Sequence, residues 1–144
     1  MQVDFYQLSR DPVERVVPLL AAKACERGTR VVLVSREAED RAALSTALWA
    51  REGAFLANGD AGGPHDARQP VLLSPEGADG DDATLALIAD GLWRDHLARF
   101  ARVILLFAAD RTGETRALWT RLTGDGHQLR IFKQREDGGW HEGR

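Results

Sequence analysis

Three short runs, TRVVLVS (29–35), PVLLS (70–74) and RVILLFA (102–108), carry almost no polar side chain. A strand with one wet face alternates apolar with polar residues, whereas a strand covered on both faces reads as one apolar run. The runs therefore predict buried strands with other layers above and below. VDFYQL (3–8), rich in β-branched and aromatic residues, predicts another strand at the start of the chain.

The segments between these runs have helical character. In SRDPVERVVPLLAAKACERG, Asp11 and Pro12 mark a helix start, yet Pro18 lies too deep for a regular interior. The helix is expected either to begin near Pro18 or to kink there, and to stop at Gly28. REAEDRAALSTALWARE predicts a second helix with Ala43, Leu44, Ala47 and Leu48 on its apolar face and Ser35 as N-cap. Strand–helix–strand–helix over the first ~50 residues implies βαβ units and a parallel sheet.

Farther along, GAFLANGDAGGPHDARQ reads as a long surface loop and PEGADGDD as an acidic turn. ATLALIADG is short enough to be strand or helix; Leu87 and Ile88 before a loop favour a strand ending near Ala89. LWRDHLARFA is a connection with room for one helical turn. A helix is expected from about Gly113 to Thr123, closed by Gly124 and Gly126. HQLRIFKQR alternates at Leu129 and Ile131 with Phe132 out of phase, and is expected as an edge strand. EDGGW then turns into a last short strand containing Trp140. The architecture expected is a single α/β domain over 1–144, with helices on both faces of a mainly parallel, Rossmann-like sheet.

Composition narrows the function classes. The chain of 144 residues has 19 Lys and Arg against 22 Asp and Glu, a net charge of -3, which disfavours bulk attraction to nucleic acid. Cys25 is the single cysteine, so no internal disulfide is available. MQVDFYQLSR has no secretory pattern and no run reaches ~18 apolar residues, so a cytoplasmic location is expected.

Chemistry-bearing motifs are scarce. The βα junctions LSRDPVERV and VSREAED hold no glycine-rich phosphate loop, and G-x-x-x-x-G-K-[ST] is absent. His65, His96, His127 and His141 are scattered, so neither a metal nor a cofactor is expected. No serine lies in G-x-S-x-G, and Asp79, Asp81 and Asp82 read as a solvated turn. An enzyme in its own right is not expected; an α/β nucleotide binder or small enzyme of unknown substrate is the alternative. Direct binding of single-stranded DNA lacks the interleaved basic and aromatic residues it needs.

Two features invite a partner. Trp49 ends the second helix and Phe55 follows in a glycine-rich loop, so they are either core or an apolar patch for another protein. ADRTGETRALWTRL gathers three arginines and a tryptophan directly after the most apolar run. At about 100° per residue, Thr115, Leu118, Trp119 and Leu122 share one arc, with Trp119 at its margin. Arg116 lies roughly 60° farther round and is an i, i+3 neighbour of Trp119. Arg121 falls on the other flank, and Arg111 stands near the helix start, where free N–H groups favour an anion. The set reads either as a solvated amphipathic helix or as a site for a carboxylate beside an apolar ring.

VDFYQL, LLAAKACERGTRVVLVS, LSTALWAREGAFLANG, QPVLLS, IADG, RVILLF and ETRALWTRLTGDGHQLRIFKQ…GGW, taken in order, resemble the chi subunit of bacterial DNA polymerase III over nearly the whole chain. The resemblance implies an α/β/α sandwich and a non-catalytic accessory of the clamp-loader complex. It implies one surface for the acidic C-terminal tail of the single-stranded DNA-binding protein, which ends in a phenylalanine with a free carboxylate. It implies another surface for the psi subunit. Arg116 and Trp119 match the family's basic–aromatic pair in the tail site, Arg111 lies within a residue of another basic position, and Thr120 stands where some members have lysine. Trp49 and Phe55 match the psi-facing pair, although FLAN replaces the frequent FLPH and some chi-like proteins have no recognisable psi.

Overall fold

A computed structural model describes residues 1–50, 56–62, 69–77 and 83–143. Phe55, His65 and the acidic-turn residues Asp79, Asp81 and Asp82 lie outside the described residues. In chain order the elements are β1 (Gln2–Leu8), α1 (Val13–Glu26), β2 (Val31–Val34), α2 (Ala38–Trp49), β3 (Asn58–Asp60), β4 (Val71–Ser74) and β5 (Leu85–Ile88). They are followed by a 3-10 turn (Asp95–Arg99), β6 (Arg102–Ala108), α3 (Thr112–Gly124), β7 (Gln128–Gln134) and β8 (Trp140–Gly143).

The strands form one sheet in the order β3-β4-β2-β5-β6-β1-β7-β8. Every pairing is parallel except β7 with β8. The apolar runs predicted as doubly covered strands lie inside the sheet for the reason given: alternate side chains serve opposite cores. Val31, Leu33, Ile104 and Leu106 pack with Val16, Val17, Leu44 and Leu48 of α1 and α2. Val32, Val34, Val103, Leu105 and Phe107 pack with Leu97, Phe100 and Leu122 on the other side. The result is a three-layer α/β/α sandwich with a mixed sheet.

Several expectations need correction. Helix α1 starts at Val13 and runs through Pro18, which is buried. Pro18 follows the first turn closely, so its missing N–H removes one early bond while Val16 N–H already reaches the Pro12 carbonyl at 3.3 Å. Gly28, at φ 76°, does end the helix: its N–H reaches the Cys25 carbonyl and Thr29 N–H the Ala24 carbonyl, both at 3.0 Å. Ser35 is not the cap of α2. Glu37 takes that position, while Ser35 is buried and continues the β2–β4 ladder to the Ser74 carbonyl. Ala43 is exposed, so the inward face of α2 rests on Leu44 and Leu48.

Strand β3 lies within the segment read as a loop. Its three residues, NGD, have no apolar signal, and only pairing with β4 defines it. Strand β7 is not the edge: β8 covers it. The out-of-phase Phe132 is explained by the two faces of β7. Leu129 and Ile131 join the α3-side core, and Phe132 stacks on Tyr6, centroids 4.8 Å apart, on the α1 side.

Two buried ionic clusters pin the sheet. Asp4, fully buried in β1, accepts from Gln2, from Arg102 of β6, and from Arg130 of β7 at 3.1 Å and 3.2 Å. Burial pushes its carboxyl pKa up, but the bonds from Arg130, Gln2 and Arg102 outweigh that and hold it below the ordinary value. Arg94, 6% exposed after β5, uses all five N–H groups on Asp90, Glu76, and the Leu92 and Pro75 carbonyls. Hydrogen bonds from Arg36 and Arg94 bring Glu76 down from 4.5 to about 2.

A depressed carboxylate stabilises the fold above its unfolded pKa, and that contribution is lost as pH falls toward the folded one. An acid titration of stability is therefore expected to show a loss between pH 4.5 and about 2 to which Glu76 contributes. Glu76→Gln should flatten that segment of the curve, measured by urea unfolding at stepped pH. An unchanged slope would show that the Glu76 bridges add nothing to stability.

Candidate functional site

In open parallel sheets, ligands meet the chain at the carboxyl ends of the strands. Gln7 of β1, Phe107 of β6 and Lys133 of β7 lie at those ends. Together with Ile131 they form one wall of a groove of about 320 Å³. The other wall is α3, through Thr112, Thr115, Arg116, Trp119 and Thr120. The volume is at the low end for small-ligand sites, about 300–1,000 Å³, and suits one or two residues of a peptide.

The floor is apolar and braced. Trp119 is half-buried and tilts against Phe5 at 5.1 Å between centroids, and Phe5 meets Phe107 edge-on at 6.5 Å. Phe5 itself is fully buried, so the indole rests on a fixed ring. The rim is basic. Arg116 and Lys133 are exposed, and neither forms an ion pair or a side-chain hydrogen bond among the described residues. Thr120 lines the groove too, but its hydroxyl donates to the Arg116 carbonyl of its own helix at 3.1 Å. An anion carried beside an apolar group matches this arrangement.

The βα junctions after β1 and β2 are occupied by the protein itself. The Oε1 of Gln134 accepts from the backbone N–H groups of Ser9, Arg10 and Asp11 at 3.2, 2.9 and 3.1 Å. Those N–H groups follow β1, where a dinucleotide-binding fold offers its N–H groups to phosphate. After β2, the Arg36 N–H is taken by the Asp90 carboxylate at 2.9 Å. The junctions after β1 and β2 are thus filled by side chains from elsewhere in the chain.

The model of the family described as DNA polymerase III chi subunit, HolC, matches residues 1–130. The chain belongs to the DNA polymerase III chi subunit family. No curated protein matches it. Membership gives this chi-family chain an accessory role in DNA replication with DNA polymerase III. Among the described residues, no helix is long and apolar enough to cross a membrane.

The residues singled out from sequence divide within this chi-family fold. Arg116, Trp119 and Thr120 line one groove. Arg111 does not line this groove; it lines a smaller depression with Arg36, Gly91 and Trp93 that shares Thr115 with the groove, and it lies 3.8 Å from Glu114. Arg121 is turned away and meets Asp95 at 3.0 Å. Trp49 is 42% exposed at the end of α2. Lys133 and Gln7 were missed by sequence reading. Lys133 is one of the chain's two lysines and sits in an ordinary strand pattern, and its place beside Arg116 follows from β7 lying next to β1, an order that local patterns do not carry.

Proposed function

We propose that this chain links the clamp-loading machinery to single-stranded DNA-binding protein by holding the acidic C-terminal tail of that protein in the groove between α3 and β7. The observation that carries the reading is the pairing of Arg116, unpartnered among the described residues, with an apolar floor of Trp119, Phe107 and Ile131. A terminal phenylalanine places its ring on that floor and its carboxylate at the guanidinium, whose fork donates to two oxygens at once. Aspartates upstream add an attraction that salt screens. A contact of this size is weak and transient, as a subunit that must release its partner requires.

Under this reading the protein is non-catalytic, needs no cofactor or metal, touches nucleic acid only through its partner and works in the cytoplasm. The plugged βα junctions support a binding role over the nucleotide-binding alternative. A psi-type partner is assigned to the end of α2, where the exposure of Trp49 supports an apolar docking patch; Phe55 is its companion by family resemblance.

The direct experiment mixes the purified protein with intact single-stranded DNA-binding protein and with a form lacking its last few residues. Complex formation with the first and none with the second is the expected outcome by analytical ultracentrifugation. Equal association with both forms would overturn the proposal. A thermal-shift screen against nucleotides addresses the alternative, and a clear stabilisation by one of them would revive it.

A further inference from the structure

The groove presents two cations from separate elements, and this bears on what it selects. Arg116 stands on α3 and Lys133 near the end of β7, and Trp119 of the helix wall and Phe107 and Ile131 of the strand wall supply the apolar surface of the same groove. Lys133 is in register with Gln7, which lines the same groove from β1. Its alternation with Ile131 on β7 puts it on the α3 side of the sheet. Other arginines nearby do not line the groove: Arg111 lies in a neighbouring depression, and Arg121 is hydrogen-bonded to Asp95. Thr120 contributes no charge and keeps its hydroxyl on the helix. Among the described residues, the free positive charge of the groove is therefore that of Arg116 and Lys133.

We infer that Lys133 is a second anion-contacting residue, so that the groove selects peptides carrying two carboxylates: a terminal carboxylate beside an apolar last side chain, met by Arg116, and an acidic side chain upstream, met by Lys133. The division of labour follows from the chemistry of the two cations. Arg116 neighbours Trp119 at i, i+3, so its planar fork lies next to the slot for the last side chain and suits the bidentate terminal carboxylate. Lys133 is a compact point charge on a flexible stem, able to follow an acidic side chain whose position varies. The apolar surface formed by Trp119, Phe107 and Ile131 takes the side chain of the last residue. A peptide with only one carboxylate leaves one cation idle, and the groove discriminates against it by the lost attraction.

The inference rests on the tail-binding reading, and the test separates the two. Synthetic tail peptides ending in Phe are titrated by calorimetry at low salt into the wild type, Lys133→Ala, Lys133→Arg and Arg116→Ala. The peptides are the acidic form, a form with its upstream acids replaced by Asn or Gln, and a C-terminally amidated form. Lys133→Ala should weaken the acidic peptide about threefold to tenfold, Lys133→Arg should retain most of the affinity, and the loss should shrink as salt rises. With the upstream acids neutralised, Lys133→Ala should have no further effect while Arg116→Ala still weakens binding. With the amidated peptide the pattern should reverse.

If the wild type binds no tail peptide, the tail-binding reading itself fails. If it binds and Lys133→Ala binds equally well, only the role of Lys133 is refuted. A Lys133 effect that vanishes with amidation instead of with upstream neutralisation overturns the assignment of the two carboxylates. Lys133 is exposed and unpaired among the described residues, so the variants are expected to melt with the wild type, and circular dichroism checks it.

Discussion

Arg116→Ala is expected to weaken binding of a Phe-terminated acidic tail by about tenfold to a hundredfold, the range for a lost hydrogen bond to a charged group. Arg116 is exposed and makes no ion pair among the described residues, so its removal strands no internal partner and should leave the melting temperature unchanged. Arg116→Lys should fall between the two, because a point charge replaces a bidentate fork. The deficit should narrow as salt rises. Trp119→Ala is a poorer probe, since the ring also packs on Phe5 and its loss would lower stability along with affinity. An Arg116→Ala protein that binds the tail like the wild type would place the site elsewhere.

The second large effect concerns the sheet. Asp4 is fully buried with both arginines in place, and removing Arg102 and Arg130 by alanine leaves Gln2 as its remaining side-chain donor among the described residues. The expected cost is about 3 kcal/mol at neutral pH, the low end for a stranded buried charge, because both guanidinium side chains are partly exposed and water can follow them in. The pH dependence gives the mechanism away. In the wild type the Asp4 carboxyl is held below its ordinary pKa, so its stabilisation exists above that value and fades as pH falls. In the double variant burial without cations raises it, so protonation favours folding. The gap between the two proteins should therefore close on acidification, measured by urea unfolding at stepped pH. A gap of constant size would mean that the arginines act through packing and not through charge.

Much of this fold is written in short-range pattern. Residues 102–108 alternate between two cores, so their run has no polar face, and the periodicity of α3 correctly separated Arg116 from Arg121. What escaped was set at longer range. Strand β3 has the sequence NGD and exists because β4 lies beside it. Phe132 is out of phase with Leu129 and Ile131 because β7 has two apolar faces, and Tyr6 and Trp140 form the second. Ser35 looked like a cap, but its backbone was needed by the sheet. In the candidate site, the helical wheel identified the α3 wall, and the strand wall with Lys133 depended on the β6-β1-β7 order. Arg111 is close in sequence to Arg116, yet it lines a neighbouring depression and not the groove.

The central claim is that the α3–β7 groove is the seat of the tail. An amide and indole chemical-shift titration of the labelled protein with a tail peptide tests it residue by residue. Shifts concentrated at Gln7, Thr115, Arg116, Trp119 and Lys133, and lost when the terminal Phe is deleted from the peptide, are the predicted result. Shifts centred elsewhere, or unchanged by that deletion, would contradict it.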